Sequence, residues 1–195
     1  RAGVAPASVA LVTTFDAETR VVAHQEVRAQ DVQRQAEHLG VALVGCPLPR
    51  GCSYAPRLRA ALGALPRAPA ALATGDLHLR SIRDWREDAL CQDEGFPPLA
   101  YPVWADEPGS NYEALMRDLL ESGVPCQVTA VGTEGAPVAA GSRYGPAVAG
   151  ALEAAGMDAF GENGEVHTLA MVWEASREQA LGLTGVRVAG SGSQC

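Results

Sequence analysis

Over the first hundred residues, short apolar runs alternate with segments whose apolar residues recur every three or four positions. Val9-Ala10-Leu11-Val12-Thr13-Thr14 is a nearly continuous apolar run with β-branched members, the mark of a strand buried on both faces. Phe15-Asp16-Ala17-Glu18-Thr19-Arg20 reads as a loop. From Gln30 the spacing predicts a helix with Val32, Ala36 and Leu39 on one face and Gly40 as its stop. A second buried strand follows at residues 41–44, ended by Pro47, Pro49 and Gly51, and Leu58, Leu62 and Leu65 give the next helix its apolar stripe. Ala70-Ala71-Leu72-Ala73-Thr74 is a third strand. Gly75-Asp76 stands at its carboxyl end, before a helix expected to turn Leu79, Ile82, Trp85 and Ala89 inward. This alternation predicts an α/β fold built on a partial doubly wound parallel sheet, with ligands beyond the carboxyl ends of its strands.

The pattern changes after Pro97-Pro98. Leu99-Ala100-Tyr101-Pro102-Val103-Trp104 is strand-like, its proline placing it at an edge or a strand end. Ser110-Asn111-Tyr112-Glu113 reads as a capping box opening a helix with Leu115, Met116, Leu119 and Leu120 inside, closed by Ser122-Gly123. Residues 126–131 alternate as a half-buried strand does, residues 132–141 are Gly-rich loop, and residues 144–155 form a helix with Pro146 in its first turn. The Asn163-Gly164 pair suits a hairpin turn with positive φ at both positions, leading into a strand over residues 166–173 that puts Glu165 and His167 on one face. Past Glu174 the chain fades into Gly190-Ser191-Gly192-Ser193, a flexible tail. The expected organisation is an α/β unit over 1–97, a smaller α+β unit over 98–176 and a tail over 177–195. There is no internal repeat.

Composition narrows the function. The chain has 195 residues with a formal net charge of −8 and a pI near 5.0. That balance argues against a nucleic-acid or anionic-membrane surface, and Arg57, Arg59 and Arg67 read as the polar side of a helix and its following loop. The hydrophobic fraction of 47% with only 5% aromatic residues suits a core of small side chains between sheet and helices. No apolar run reaches membrane-spanning length. Five scattered cysteines without a C-x-x-C pair indicate neither a zinc site nor a disulfide framework, and reduced thiols in the cytoplasm fit best. Arg1 to Pro6 lacks the apolar core of a signal peptide.

Two stretches concentrate reactive side chains. Gly161-Glu162-Asn163-Gly164-Glu165-Val166-His167-Thr168 holds two carboxylates, an imidazole and a hydroxyl in eight residues. On spacing alone it reads equally as a solvated surface hairpin. Gly75-Asp76-Leu77-His78-Leu79, followed by Arg83, Arg86 and Glu87, places an acid at a strand end and two arginines on the next helix. The plain alternative is an Asp capping its own helix, with surface ion pairs beyond it. A metal site from Glu165, His167 and Asp76 or His24 is a further alternative, although so few and such common ligands are not diagnostic.

The first of these stretches resembles the G-E-N-G-E-[FV]-H-T element of the diphthine-ammonia ligase family, ATP pyrophosphatases with an adenine-nucleotide α-hydrolase-like fold. The second is similar to that family's G-D-[IL]-x-L-x-x-x-R-x-[YW]-R-E pattern, with Pro102-Val103-Trp104 standing for its P-L-W. His24-Gln25-Glu26-Val27-Arg28 with Gln35-Ala36 resembles its H-x-x-V-R and Q-A, and the likeness runs from about Val9 to Trp173. It implies ATP-dependent amidation of a carboxylate through an acyl-adenylate, releasing AMP and pyrophosphate, with ammonia as the amine donor and Mg2+ on the phosphates. Diphthine of elongation factor 2 is the implied protein substrate. Glu162, Glu165 and His167 take catalytic roles in that reading. Gly75, Asp76, Arg83, Arg86, Glu87, His24, Gly161, Asn163, Gly164 and Thr168 bind nucleotide or substrate. Two departures stand out. The family's S-G-G-x-D-S phosphate loop and its central first strand have no counterpart in this sequence, so the chain alone is expected to be inactive and the missing run is expected upstream of Arg1. Members that make diphthamide tend to carry G-E-G-G-E-[YF]-E-T, so Asn163 and His167 point equally to a related ATP pyrophosphatase of unassigned substrate. A non-catalytic binding module that lost the phosphate loop is the rival from another class.

Overall fold

A computed structural model describes residues 6–23, 25–90 and 95–182. After a 3-10 turn at Pro6–Ser8, strand β1 (Ala10–Asp16) leads through the two-residue strands β2 (Val21–Val22) and β3 (Val27–Arg28) into helix α1 (Ala29–Leu39). Gly40 closes α1 in the left-handed region at φ 63, a conformation that costs glycine little. Strand β4 (Ala42–Leu48) then pairs parallel with β1, Ala10 opposite Ala42 and Asp16 opposite Leu48. It runs through Pro47, which was expected to end it; among the described residues the only strand hydrogen-bonded to β4 is β1, and an edge strand tolerates a proline.

Helix α2 (Tyr54–Gly63) buries Leu58 and Leu62, as its stripe predicts. Strand β5 is reduced to Leu72–Ala73 and pairs parallel with β6 (Leu99–Ala100), far shorter than the expected run to Trp104. Between them lies α3 (Arg80–Leu90). Its inward face is only partly the expected one: Ala89 packs inward, but Ile82 is 38% and Trp85 47% exposed, and Leu90 is fully buried instead. Leu58, Leu62 and Leu90 form an apolar cluster against which Val12, Leu72, Ala89 and Leu99 pack. The first half is thus mixed α/β with two short parallel strand pairs, not one continuous sheet. The two pairs rest on one cluster without hydrogen-bonding to each other.

The second half assembles around α4 (Tyr112–Ser122), β7 (Cys126–Val131), β8 (Arg143–Tyr144), α5 (Pro146–Ala154) and β9 (Val166–Ala170). β7 is central in an antiparallel sheet of order β8-β7-β9, with a register shift between Val128 and Ala130. Val128, Tyr144, Leu152 and Val166 form its core, with Met116, Leu119, Met157 and Phe160 packed around them. Proline opens α5, where its missing N–H would be unpaired anyway. The capping box at Ser110 does not form. Asn111 is the residue before α4 and makes no side-chain cap; its Nδ2 instead donates to the Val103 carbonyl at 2.7 Å. Leu120, expected inside, is 57% exposed.

The segment after β9 returns to the first half. β9 stops at Ala170, short of the expected Trp173, and a 3-10 turn at Val172–Glu174 follows. The Trp173 ring lies 4.1 Å from the Arg34 guanidinium of α1, within cation–π range. Where a loose tail is expected from residue 177, α6 (Arg177–Ala180) forms with Ser176 as its cap. Arg177 Nε donates to the Leu39 carbonyl at 2.9 Å, and Gln35 Nε2 donates to that of Ala170 at 2.8 Å. The Gly-Ser stretch at 190–193 lies outside the described residues.

Candidate functional site

Residues 161–165 form a self-contained loop rather than a hairpin. No strand precedes them, since the chain arrives from α5 through turns. Gly164 N donates to the Gly161 carbonyl at 2.9 Å, with φ 72 at Gly161 and 88 at Gly164. Asn163 is not in the left-handed region, so the expected turn with positive φ at both Asn and Gly is absent. Only glycine fits at 161: a Cβ there would stand 2.6 Å from Val166 Cγ2.

The Glu165 carboxylate is spent on folding this loop. It is 6% exposed, and it accepts from Asp158 N at 2.9 Å, Asn163 N at 3.0 Å and Asn163 Nδ2 at 3.2 Å. Asp158 completes the frame, its Oδ1 accepting from Phe160 N at 2.9 Å and Glu162 N at 3.1 Å. A buried carboxylate needs such donors. Glu162 is thereby left pointing out of the loop.

That side chain spans to the first half. Glu162 Oε1 accepts from Leu77 N at 2.7 Å, while the Leu77 carbonyl accepts from Ala105 N at 2.8 Å. Residue 77 is therefore held from both sides just past the carboxyl end of β5. Burial holds the Glu162 carboxyl above its usual range, opposed by the Leu77 and His78 amides and the His78 ring. Alongside, Tyr112 donates to Asp158 Oδ2 at 2.5 Å and lies 3.1 Å from His78 Nδ1. His78 Nε2 is 3.8 Å from the same Asp158 oxygen, with both side chains at 9% exposure or less. Burial, then the bond to Asp158, drives the Tyr112 phenol well above its usual range, so it acts as a hydrogen-bond donor and not as a phenolate.

On the first-half side, Arg86 grips Asp76 with two bonds, Nε to Oδ2 at 2.9 Å and Nη2 to Oδ1 at 3.1 Å, the geometry for which guanidinium is suited. Arg83 pairs with Glu87 at 2.9 Å and lies 4.6 and 4.9 Å from the rings of Tyr101 and Trp104. Thr74 Oγ1 is buried with no hydrogen-bond partner. A Cβ at the neighbouring Gly75 would meet nothing within 4 Å.

Of the residues singled out in the sequence, Gly75, Asp76 and Arg86 stand beside the Leu77 amide that Glu162 occupies. Gly161, Asn163, Gly164 and Glu165 build the loop that presents Glu162. His167 and Thr168 lie on β9, where Thr129 Oγ1 donates to the His167 carbonyl at 3.3 Å. His24 lies outside the described residues. His78, Tyr112 and Asp158 were given no role from the sequence. Tyr112 sat inside an apparent capping box, and its partners stand 34 and 46 positions away, beyond the reach of any local pattern.

Among the described residues no group of three or more His, Cys, Asp or Glu side chains is arranged to hold a metal ion, and no helix is long and apolar enough to cross a membrane. Compared with models of known families and with curated proteins, the chain matches none.

Proposed function

We propose that the protein is an ATP-dependent ligase of the ATP pyrophosphatase class, forming an amide from a carboxylate and ammonia. The observation that carries this reading is the 2.7 Å bond from Leu77 N to Glu162. It joins, at the carboxyl end of β5 and across 85 positions of chain, the two stretches that each resemble the diphthine-ammonia ligase family. In this reading the two parallel pairs belong to one doubly wound sheet, and the apolar cluster they share supports it.

The residues at this strand end suit a nucleotide in part. Unpartnered Thr74 Oγ1 offers a hydroxyl to a phosphate or ribose oxygen, and Gly75 leaves space for close approach. Arg86, already neutralised by Asp76, positions the strand end more than it binds. Glu162, its carboxyl raised by burial, is the group suited to orient ammonia and accept a proton. His78, Tyr112 and Asp158 fix the loop that carries it. By the same resemblance, Mg2+ is expected on the phosphates of ATP.

A second reading, a binding module without catalysis, is favoured by the engagement of both Arg83 and Arg86 with neighbouring carboxylates. Calorimetric titration with ATP, using the protein expressed from its full reading frame, separates the two. The ligase reading expects ATP binding, weakened at least about tenfold by Gly75→Ala with no loss of melting temperature, because Cβ there meets open space. Glu162→Gln is expected to keep ATP binding and lose ammonium-dependent release of pyrophosphate. Failure to bind either ATP or AMP would leave the module.

A further inference from the structure

A groove of about 560 Å³ lies between α4, α5 and the loop after α5, and the proposed reaction makes no use of it. Its apolar floor includes Met116, Met157 and Phe160, and its rim carries Glu113 and Glu153. Asp158 also reaches the wall, but Tyr112 and two loop amides occupy its carboxylate. Among the described residues lining the groove, none is basic. Ala149 and Gly150 on α5 leave that wall low enough for another backbone to lie close.

We infer that this groove docks a basic amphipathic helical segment of a partner protein. Thioether side chains adapt their shape to an inserted apolar residue and recur on surfaces that receive amphipathic helices. Leu120, one turn beyond Met116 on α4 and 57% exposed, extends the apolar strip past the groove, so the strip is longer than a small ligand needs. The charge pattern selects the partner. Glu113 and Glu153 are exposed on opposite rims, and the whole chain carries −8, so an arginine- or lysine-flanked apolar stripe is attracted while an acidic one is repelled. The Tyr112 ring lies 4.5 Å from that of Phe160, and the Tyr112 hydroxyl holds Asp158. An occupant pressing on Phe160 therefore touches the framework of the Glu162 loop.

The test uses two synthetic helical peptides of equal length, one of leucine and arginine, the other of leucine and glutamate, followed by fluorescence anisotropy against the intact protein. The basic peptide is expected to bind and the acidic one not. The double substitution Glu113→Gln and Glu153→Gln should weaken the basic peptide at least about fivefold. A control with the same charge change elsewhere, Glu18→Gln and Glu174→Gln, should change it less than about twofold. Met157→Ser should weaken binding without altering its salt dependence. Equal weakening by the control would reduce the effect to bulk charge and overturn the proposal, as would comparable binding of both peptides. A dimer in sedimentation velocity that Met157→Ser dissociates would assign the groove to a second copy of this chain and overturn it too.

Discussion

Glu162 is the residue on which the two halves meet, and burial is the largest influence on its carboxyl. Its pKa in the folded protein lies above the unfolded value of about 4.3. The folded state therefore binds the proton more tightly. By linkage, this group contributes nothing adverse below the unfolded value, and its ionisation costs stability as pH rises through the folded value. Glu162→Gln keeps a carbonyl to accept from Leu77 N and cannot ionise. The melting temperature of the variant, measured from mildly acid to neutral pH, should gain on that of the parent as pH rises; a constant offset would show that the burial penalty is not expressed. The carboxylates of the Gly161–Thr168 stretch were legible in the sequence as reactive groups, and their division of labour was not. Glu165 folds the loop and Glu162 leaves it, because Asp158 N and the Asn163 groups meet one carboxylate and Leu77 N the other. Those donors come from three separate places in the chain.

Helices and strands were legible where one apolar stripe faces one core, and less so where two surfaces compete. α1 begins and ends within a residue of its expected limits, because Val32, Ala36 and Leu39 share one face and Gly40 can adopt φ 63. α3 meets the core only at its C-terminal end. Leu90 and Ala89 pack there, whereas Ile82 and Trp85, on Ala89's side of the helix but one and two turns earlier, are left largely outside, with Trp85 resting on Tyr54 at 5.6 Å between ring centroids. α4 divides likewise, with Met116 and Leu119 packed inward and Leu120 outward. The consequence is a sharp contrast between two leucines on helices α4 and α5. Leu152→Ala, at a fully buried site, should cost about 2–5 kcal/mol. Leu120→Ala, on an exposed face, should stay within about 0.5 kcal/mol. Urea unfolding of the two variants measures both, and equal costs would mean that Leu120 is covered in solution.

At the scale of the molecule, the buried residues gather in two apolar clusters that share no member, and Leu99, beyond Pro97-Pro98, packs with the first of them. Leu58, Leu62 and Leu90 gather Val12, Leu72 and Leu99, whereas Val128, Tyr144, Leu152 and Val166 gather Met116, Leu119 and Phe160. The bonds named across the seam are polar: Glu162 to Leu77, Tyr112 between His78 and Asp158, Gln35 to Ala170, and Arg177 to Leu39. Each net hydrogen bond contributes only about 0.5–1.5 kcal/mol, less than an emptied core position costs. Stability lost in one cluster should therefore be felt first within that cluster. Native-state hydrogen exchange of Leu152→Ala should quicken the amides of β7 and β9 and leave those of β1 and β4 near their original rates. Leu62→Ala should do the reverse. If every protected amide quickens together in both variants, the seam transmits the full loss and the molecule opens as one unit. The Glu162 loop would then be as rigid as the cores beneath it, and its bond to Leu77 could not open independently to admit a substrate.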